Sequence, residues 1–346
     1  MVGKKKPICE INSSRLFLAW LSSQNASLAF TTYQANKLFL IGTTHENELS
    51  VFERTFTRCM GLAVKENQLW MSNLYQLWRF ENFLDSGQLS DEYDAMYVPV
   101  SGHTTGDIDI HDIHIRDDGT PLFVNTRFNC LATLGPRFSF EPVWKPPFID
   151  RIAAEDRCHL NGMAIKNNVA RYVTCVAKSN LAEGWRDHRT AGGLVIDVET
   201  SETVASGLSM PHSPRLYGDK LWILQAGTGE FGYIDTDEGK FNPLCFLPGF
   251  ARGLSFIGDY AIVGLSKPRN NNTFNGLALN ERLDREGSEA KCAAYIINLN
   301  TGDVEHMLEI EGIGEIYDVA VLPGIKRPKV LGFKTDEIRF TIRPEN

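Results

Sequence analysis

No two cysteines in this sequence form a CxxC pair. The seven present, Cys9, Cys59, Cys130, Cys158, Cys175, Cys245 and Cys292, are scattered and odd in number. That argues against a disulfide framework and fits reduced thiols in a cytoplasm. No apolar run approaches the roughly 20 residues that cross a bilayer, so no membrane span is expected. Basic charge is also short, with 35 Lys and Arg against 43 Asp and Glu and a formal charge of −8, which disfavours a protein built to neutralise nucleic-acid phosphates. The run Lys4-Lys5-Lys6 is followed by Glu10 and Arg15 where a signal peptide needs apolar residues, so no export signal is read. P-loop, GxGxxG, GxSxG and HExxH motifs are all absent, which removes the common local signatures of nucleotide, hydrolase and zinc chemistry.

What is there is a large apolar fraction, 43% against 23% charged, enough for one globular body with a sizeable core. Within it a sextet recurs six times, starting at Cys59, Ile110, Leu160, Pro211, Ala251 and Ile316. The richest copy is Ile110-His111-Asp112-Ile113-His114-Ile115. The second column reads Met60, His111, Asn161, His212, Arg252, Tyr317, and the third Gly61, Asp112, Gly162, Ser213, Gly253, Asp318. Read off those residue numbers, successive copies are 51, 50, 51, 40 and 65 positions apart. A period of roughly 40 to 50 residues is that of propeller blades.

The stretches around the copies agree. Strand-forming runs such as Gln68–Asn73, Pro121–Asn125, Arg171–Cys175, Lys220–Gln225 and Tyr260–Gly264 follow each copy after a turn, as the second strands of hairpins do. The segment from Ser27 to Arg54 reads as three strands lacking an inner one, whereas the Tyr317 copy has only Lys329–Phe333 and a short tail behind it. Joining the two would complete one blade and remove an open sheet edge. The expectation is an all-β, six-bladed propeller over residues 27–346, closed by a blade that N- and C-terminal strands share, with residues 1–26 as an N-terminal arm and seven blades as the alternative. Three stretches, Arg127–Phe148, Ala177–Gly193 and Ser266–Lys291, read as insertions after second strands. They are expected on one face, walling a pocket over the axis.

In a propeller the inner strands line the axis, so the second column becomes a ring. Five of its six members can bind or move protons. His111 and His212, with His159 two positions upstream of Asn161, are the candidate ligands of a divalent transition metal, the expected cofactor on this reading. Arg252 is read either as a clamp for a carboxylate or phosphate or as the partner of Glu315 or Asp318. Tyr317 is a candidate proton donor and Asn161 an orienting group. Trp185 and His188, on an insertion, are candidate substrate contacts. His111 and His114 should point to opposite faces, and Asp112 and Asp318 are expected to accept backbone amides.

In the segments Arg58–Val64, His111–Ile115 and His159–Ile165 through Leu216, the chain resembles a bacterial propeller family built on a domain of unknown function. More distantly it is similar to gluconolactonase and strictosidine-synthase-like propellers. The lactonase resemblance implies an axial calcium held by Glu, Asn and Asp. Only Asn161 matches that ligand type, and His111, His212 and Arg252 depart from it. The reading is therefore an enzyme acting on a small molecule or peptide at the axis, its rival a non-catalytic propeller that binds a peptide or protein partner through its loop face. Neither nucleic acid nor membrane is an expected partner.

Overall fold

The computed structural model describes residues 9–268 and 275–345; the run Lys4–Lys6 and part of the Ser266–Lys291 stretch lie outside them. The described strands form six sheets, antiparallel but for one edge strand. Their inner strands, in chain order, are Leu62–Lys65, Ile110–Ile115, Leu160–Lys166, Pro211–Tyr217, Phe250–Ile257 and Asp318–Pro323. Each contains or directly continues one copy of the sextet. Every inner strand packs against the next, and the sixth returns to the first. The fold is a six-bladed propeller, and the blades are numbered one to six in that order.

Blade six is the shared one. Its inner strand, Asp318–Pro323, pairs with Ala26–Thr32 in the register Asp318↔Thr31 and Val321↔Leu28. Ala26–Thr32 and Lys37–Thr43 are buried at every position, because both faces of a blade pack on neighbouring blades and a buried strand reads as an almost continuous apolar run. The core therefore lies between the sheets. Phe30, Phe39 and Ile41 meet Ile262, Ile296 and Leu308 of blade five, whereas Leu38 and Leu40 on the other face meet Leu69, Met71 and Phe80 of blade one.

Two expectations are corrected. The tail strand does not complete blade six: Pro328–Val330 pairs in parallel with Ala95–Tyr97 on the outer edge of blade one. At the other end, Glu10–Ser13 adds to Val304–Glu311 of blade five, so both termini cover edges beside the shared blade. Arg127–Phe148 is not an insertion, since it holds the third and fourth strands of blade two, Cys130–Thr133 and Glu141–Trp144. Pro136, Pro142 and the short strands hid that pairing from a pattern-based reading. The other two insertions do leave from equivalent strand ends and meet: Val176, Ala177 and Trp185 pack with Leu277, Leu279 and Leu283 over Met210 and Phe250. No described helix is long and apolar enough to cross a membrane, and all seven cysteines are free thiols.

Candidate functional site

The third column sets the ring. Its small and polar members alternate, and each polar one reaches the next blade. Asp112 Oδ2 accepts the Met163 amide at 3.0 Å, Ser213 Oγ accepts the Gly253 amide at 3.1 Å, and Asp318 Oδ2 accepts the Leu62 amide at 2.9 Å. The glycines between them are needed for close approach, since a Cβ on Gly253 would stand 2.7 Å from the Val319 nitrogen. Hydroxyls at the ends of second strands add a second set of stitches, Ser72, Thr126 and Ser266 donating to the carbonyls of Ile110, Leu160 and Ile316. Ordering six blades costs chain entropy, and these repeated bonds satisfy the inner-strand amides and carbonyls that closure buries.

With the blades so spaced, the second column converges. His111, Asn161, His212, Arg252 and Tyr317 line one small cavity of about 10 Å3, room for a single water. Tyr317 meets His111 edge-on at 5.6 Å, and Arg252 lies over the Tyr317 ring at 5.1 Å and the Phe250 ring at 5.2 Å. Met60 is buried apolar packing. The Nδ1–H of both His111 and His212 donates to the carbonyl two residues back, Asp109 at 2.9 Å and Met210 at 2.8 Å, and His111 Nδ1 also lies 2.8 Å from Thr126 Oγ1. That leaves Nε2 unprotonated in both. Burial pushes the pKa of His111 down to about 4 and, with the Arg252 charge, that of His212 well below its usual value, so both are neutral at pH 7. Burial drives the Tyr317 phenol well above 10, so it keeps its proton.

Above the ring sits a second tier. His159 meets His111 edge-on at 5.0 Å and stacks on Trp185 at 4.2 Å. Asp156 accepts His159 Nδ1 and Trp185 Nε1, each at 2.9 Å. Arg58 binds Asp109 at 2.5 Å and Asp107 at 2.9 Å. Arg58, Asp109, His159 and Met210, all two positions before a second-column residue, have φ of 53°, 59°, 50° and 48°. The left-handed backbone costs about 1 kcal/mol or more for such residues, and it turns these side chains over the mouth of the axis rather than along a regular strand.

Sequence reasoning thus brought together His111, His159, Asn161, His212, Arg252 and Tyr317. It placed Trp185 near them but in another role, buried against His159 as an anchor, whereas His188, on the same turn, is exposed. His114 faces the other way and bonds Asn168 at 3.1 Å. Arg252 does not pair with Glu315 or Asp318: among the described residues it makes no ion pair, and the buried carboxylate Asp112 takes Arg215 instead. The reading missed Asp156 and Arg215. Asp156 stands three residues before His159, and Arg215 is the lone cation in a fifth sextet column of Ala63, His114, Ala164, Ser255 and Ala320; either signal was visible.

The residues do not fit the expected metal. Among the described residues no three His, Cys, Asp or Glu side chains are arranged to hold one. The Arg252 guanidinium acts electrostatically on both His111 and His212, where a second cation would be repelled.

Fold and site together define a six-bladed propeller with a polar, nearly closed axial ring under a histidine-bearing mouth. The chain belongs to the family of the domain of unknown function DUF4915, whose model matches residues 15–331. No curated protein matches the sequence. Among solved structures it is similar to a chain of a nidogen/laminin complex, with 11% identity, TM-score 0.56 and coverage of 86% of this chain and 99% of that one. A protein of unknown function from Bacteroides caccae aligns with 13% identity and TM-score 0.50 over 86% of this chain and 98% of that chain. Virginiamycin B lyase from Staphylococcus aureus aligns with 14% identity and TM-score 0.41 over 69% and 73%. At these identities the likeness is one of fold alone.

Proposed function

We propose that this protein is an enzyme that moves a proton to or from a small molecule or peptide end held at the mouth of the axis. The observation that carries the reading is the Asp156–His159 pair, joined at 2.9 Å beside the ring. A carboxylate that accepts Nδ1–H leaves Nε2 as the acceptor and stabilises the imidazolium formed when Nε2 takes a proton. Trp185 holds the pair from the side by its own bond to Asp156 and its stack on His159. Tyr317 keeps its hydroxyl proton and can donate a hydrogen bond to charge developing on a substrate oxygen. Four left-handed residues around one mouth support the reading, because such strain persists where function requires it.

The test is a pool of small metabolites and short peptides incubated with the purified protein in D2O and followed by NMR and mass spectrometry. The expected result is deuterium incorporation or a new product, reduced by about 100-fold or more in His159→Gln. A folded wild-type protein that alters no component of the pool overturns the proposal.

One observation favours the rival. His111, Asn161, His212 and Tyr317 are each under a tenth exposed and leave about 10 Å3 between them. A ring closed by its own side chains suits a non-catalytic propeller that presents its loop face to a peptide or protein partner. That reading expects no turnover in the same experiment.

A further inference from the structure

The axis has a second opening. Beyond Asp112 and Arg215, at the end opposite His159, the inner strands surround a funnel of about 720 Å3, within the roughly 300 to 1,000 Å3 of small-molecule sites. The sextet columns build it in layers. In the fifth column Ala63 and Ala320 keep the space wide, and His114, Arg215 and Ser255 supply polar groups at one height. The sixth column adds an aliphatic collar of Val64, Ile115, Ile165, Leu216 and Val321, and past it the rim carries Lys65, Asp117, Asn167 and Asn168.

The hydrogen bonds already made fix what each polar group has left. Asp112 takes the Nη1–Nη2 edge of Arg215 at 2.7 and 3.0 Å, and the Met163 and Pro214 carbonyls accept from Nη1 as well. Among the described residues nothing accepts from Nε or from the outer Nη2–H, so a second parallel pair of donors is left. The Arg215 side chain is still 24% exposed, and by crossing to Asp112 it carries that fork to the blade of His114. His114 offers the complement. Asn168 Oδ1 accepts the Asp117 amide at 3.1 Å and therefore accepts His114 Nε2–H, also at 3.1 Å, which leaves Nδ1 an acceptor. Burial lowers the His114 pKa, so the ring is neutral at pH 7. The lining charges cancel in pairs, Arg215 with Asp112 and Lys65 with Asp117 at 2.8 Å. An occupant with a net charge would leave that charge unmatched beside one of these pairs. The ligand that fits is neutral, holds two acceptors in one plane to match the fork, has a donor next to them, and carries an apolar body through the collar to polar groups at the rim.

A 6-oxopurine has that edge in its N7, carbonyl and N1–H, and the first two are the acceptors that arginine grips on guanine. We propose that the funnel binds a 6-oxopurine nucleoside, with the carbonyl oxygen and N7 on Arg215, N1–H on His114, the base within the aliphatic collar and the ribose hydroxyls at Lys65, Asn167 and Asn168. The site is separate from the His159 mouth and does not rest on the catalytic reading.

Inosine is the probe, and adenosine, of the same size, presents a donor where inosine has its carbonyl. In isothermal titration calorimetry inosine should bind saturably and at least about ten-fold tighter than adenosine. Arg215→Lys keeps a charge against Asp112 but lacks the fork, and should weaken inosine by at least about ten-fold. Ser255→Trp fills the funnel at the height of the fork and should abolish binding. His159→Gln should bind inosine as the wild type does. Near-ultraviolet circular dichroism and the melting temperature establish that each variant is folded, and Ser255→Trp decides the matter if Arg215→Lys does not fold. No saturable inosine binding to the wild type, adenosine bound as tightly as inosine, or unchanged inosine binding by folded Ser255→Trp overturns the proposal. Loss of inosine binding in folded His159→Gln overturns it too, because the nucleoside would then sit at the mouth.

Discussion

Asp112 of blade two and Arg215 of blade four meet across the axis as a double bond of charge, with Nη1 at 2.7 Å from Oδ2 and Nη2 at 3.0 Å from Oδ1. Both side chains line the small ring cavity on one side and a funnel of about 720 Å3 on the other. The pair is the partition of the axis. It also ties three blades, because Asp112 accepts the Met163 amide and Arg215 donates to the Met163 carbonyl of blade three.

Removing one partner leaves the other buried charge unmatched, which costs more than the pair is worth. Arg215→Met should destabilise the fold by roughly 3 kcal/mol, measured by urea unfolding at pH 7. A change below about 0.5 kcal/mol would show the pair to be no more than a surface contact.

Histidines held neutral by burial make stability depend on pH. His111 has its pKa lowered from 6.5 to about 4. Above 6.5 neither state holds the extra proton, and between 6.5 and about 4 the unfolded chain binds one that the folded chain refuses. Its contribution is therefore present above pH 6.5 and is lost as pH falls to about 4, up to about 3 kcal/mol. His212 acts in the same direction. Asp318 acts in the opposite one, since a carboxyl raised from 3.8 to about 7 contributes stability that is full at low pH and lost as pH rises through that window. Unfolding curves at pH 4.5, 5.5 and 6.5 should show a shallower acid loss in His111→Gln than in the wild type; equal slopes would reject the buried neutral imidazole.

Two glycines isolate crowding from backbone strain. Gly253 has φ of 71° and Gly106 has φ of 76°, but a Cβ would meet the Val319 nitrogen at 2.7 Å in the first and nothing within 4 Å in the second. Gly106→Ala should cost about 1 kcal/mol from the left-handed backbone alone. Gly253→Ala should cost at least about 3 kcal/mol, because the inner strands of blades five and six must part. Similar losses in thermal or urea unfolding would mean that the glycine column does not set the spacing of the ring.

Much of this was readable in the linear text. The sextets carry strand-forming residues at a constant register, so the blade count and the polar second column could be seen before any fold was in hand. Asp112 and Asp318 were expected to accept amides, and they do. The reading failed where geometry departs from strand alternation or where local signals are weak. Left-handed turns at Arg58, Asp109, His159 and Met210 re-aim side chains that alternation would have sent along the strand. Proline-bearing strands in blade two passed for an insertion, and a three-residue strand at Pro328–Val330 joined a blade that nothing local marks.

By itself the sequence determined the wheel: six inner strands, a blade completed from both ends, and a column of His, Asn, Arg and Tyr facing its axis. These follow from residue type and spacing, which act within each repeat. Only the tertiary structure decided the pairings, that Asp156 supports His159, that Arg215 rather than Arg252 answers Asp112, and that the ring closes to the size of one water. The first turns on the left-handed backbone at His159, and the other two on distances between side chains roughly fifty or a hundred residues apart, set when the six sheets pack and the last strand closes the circle.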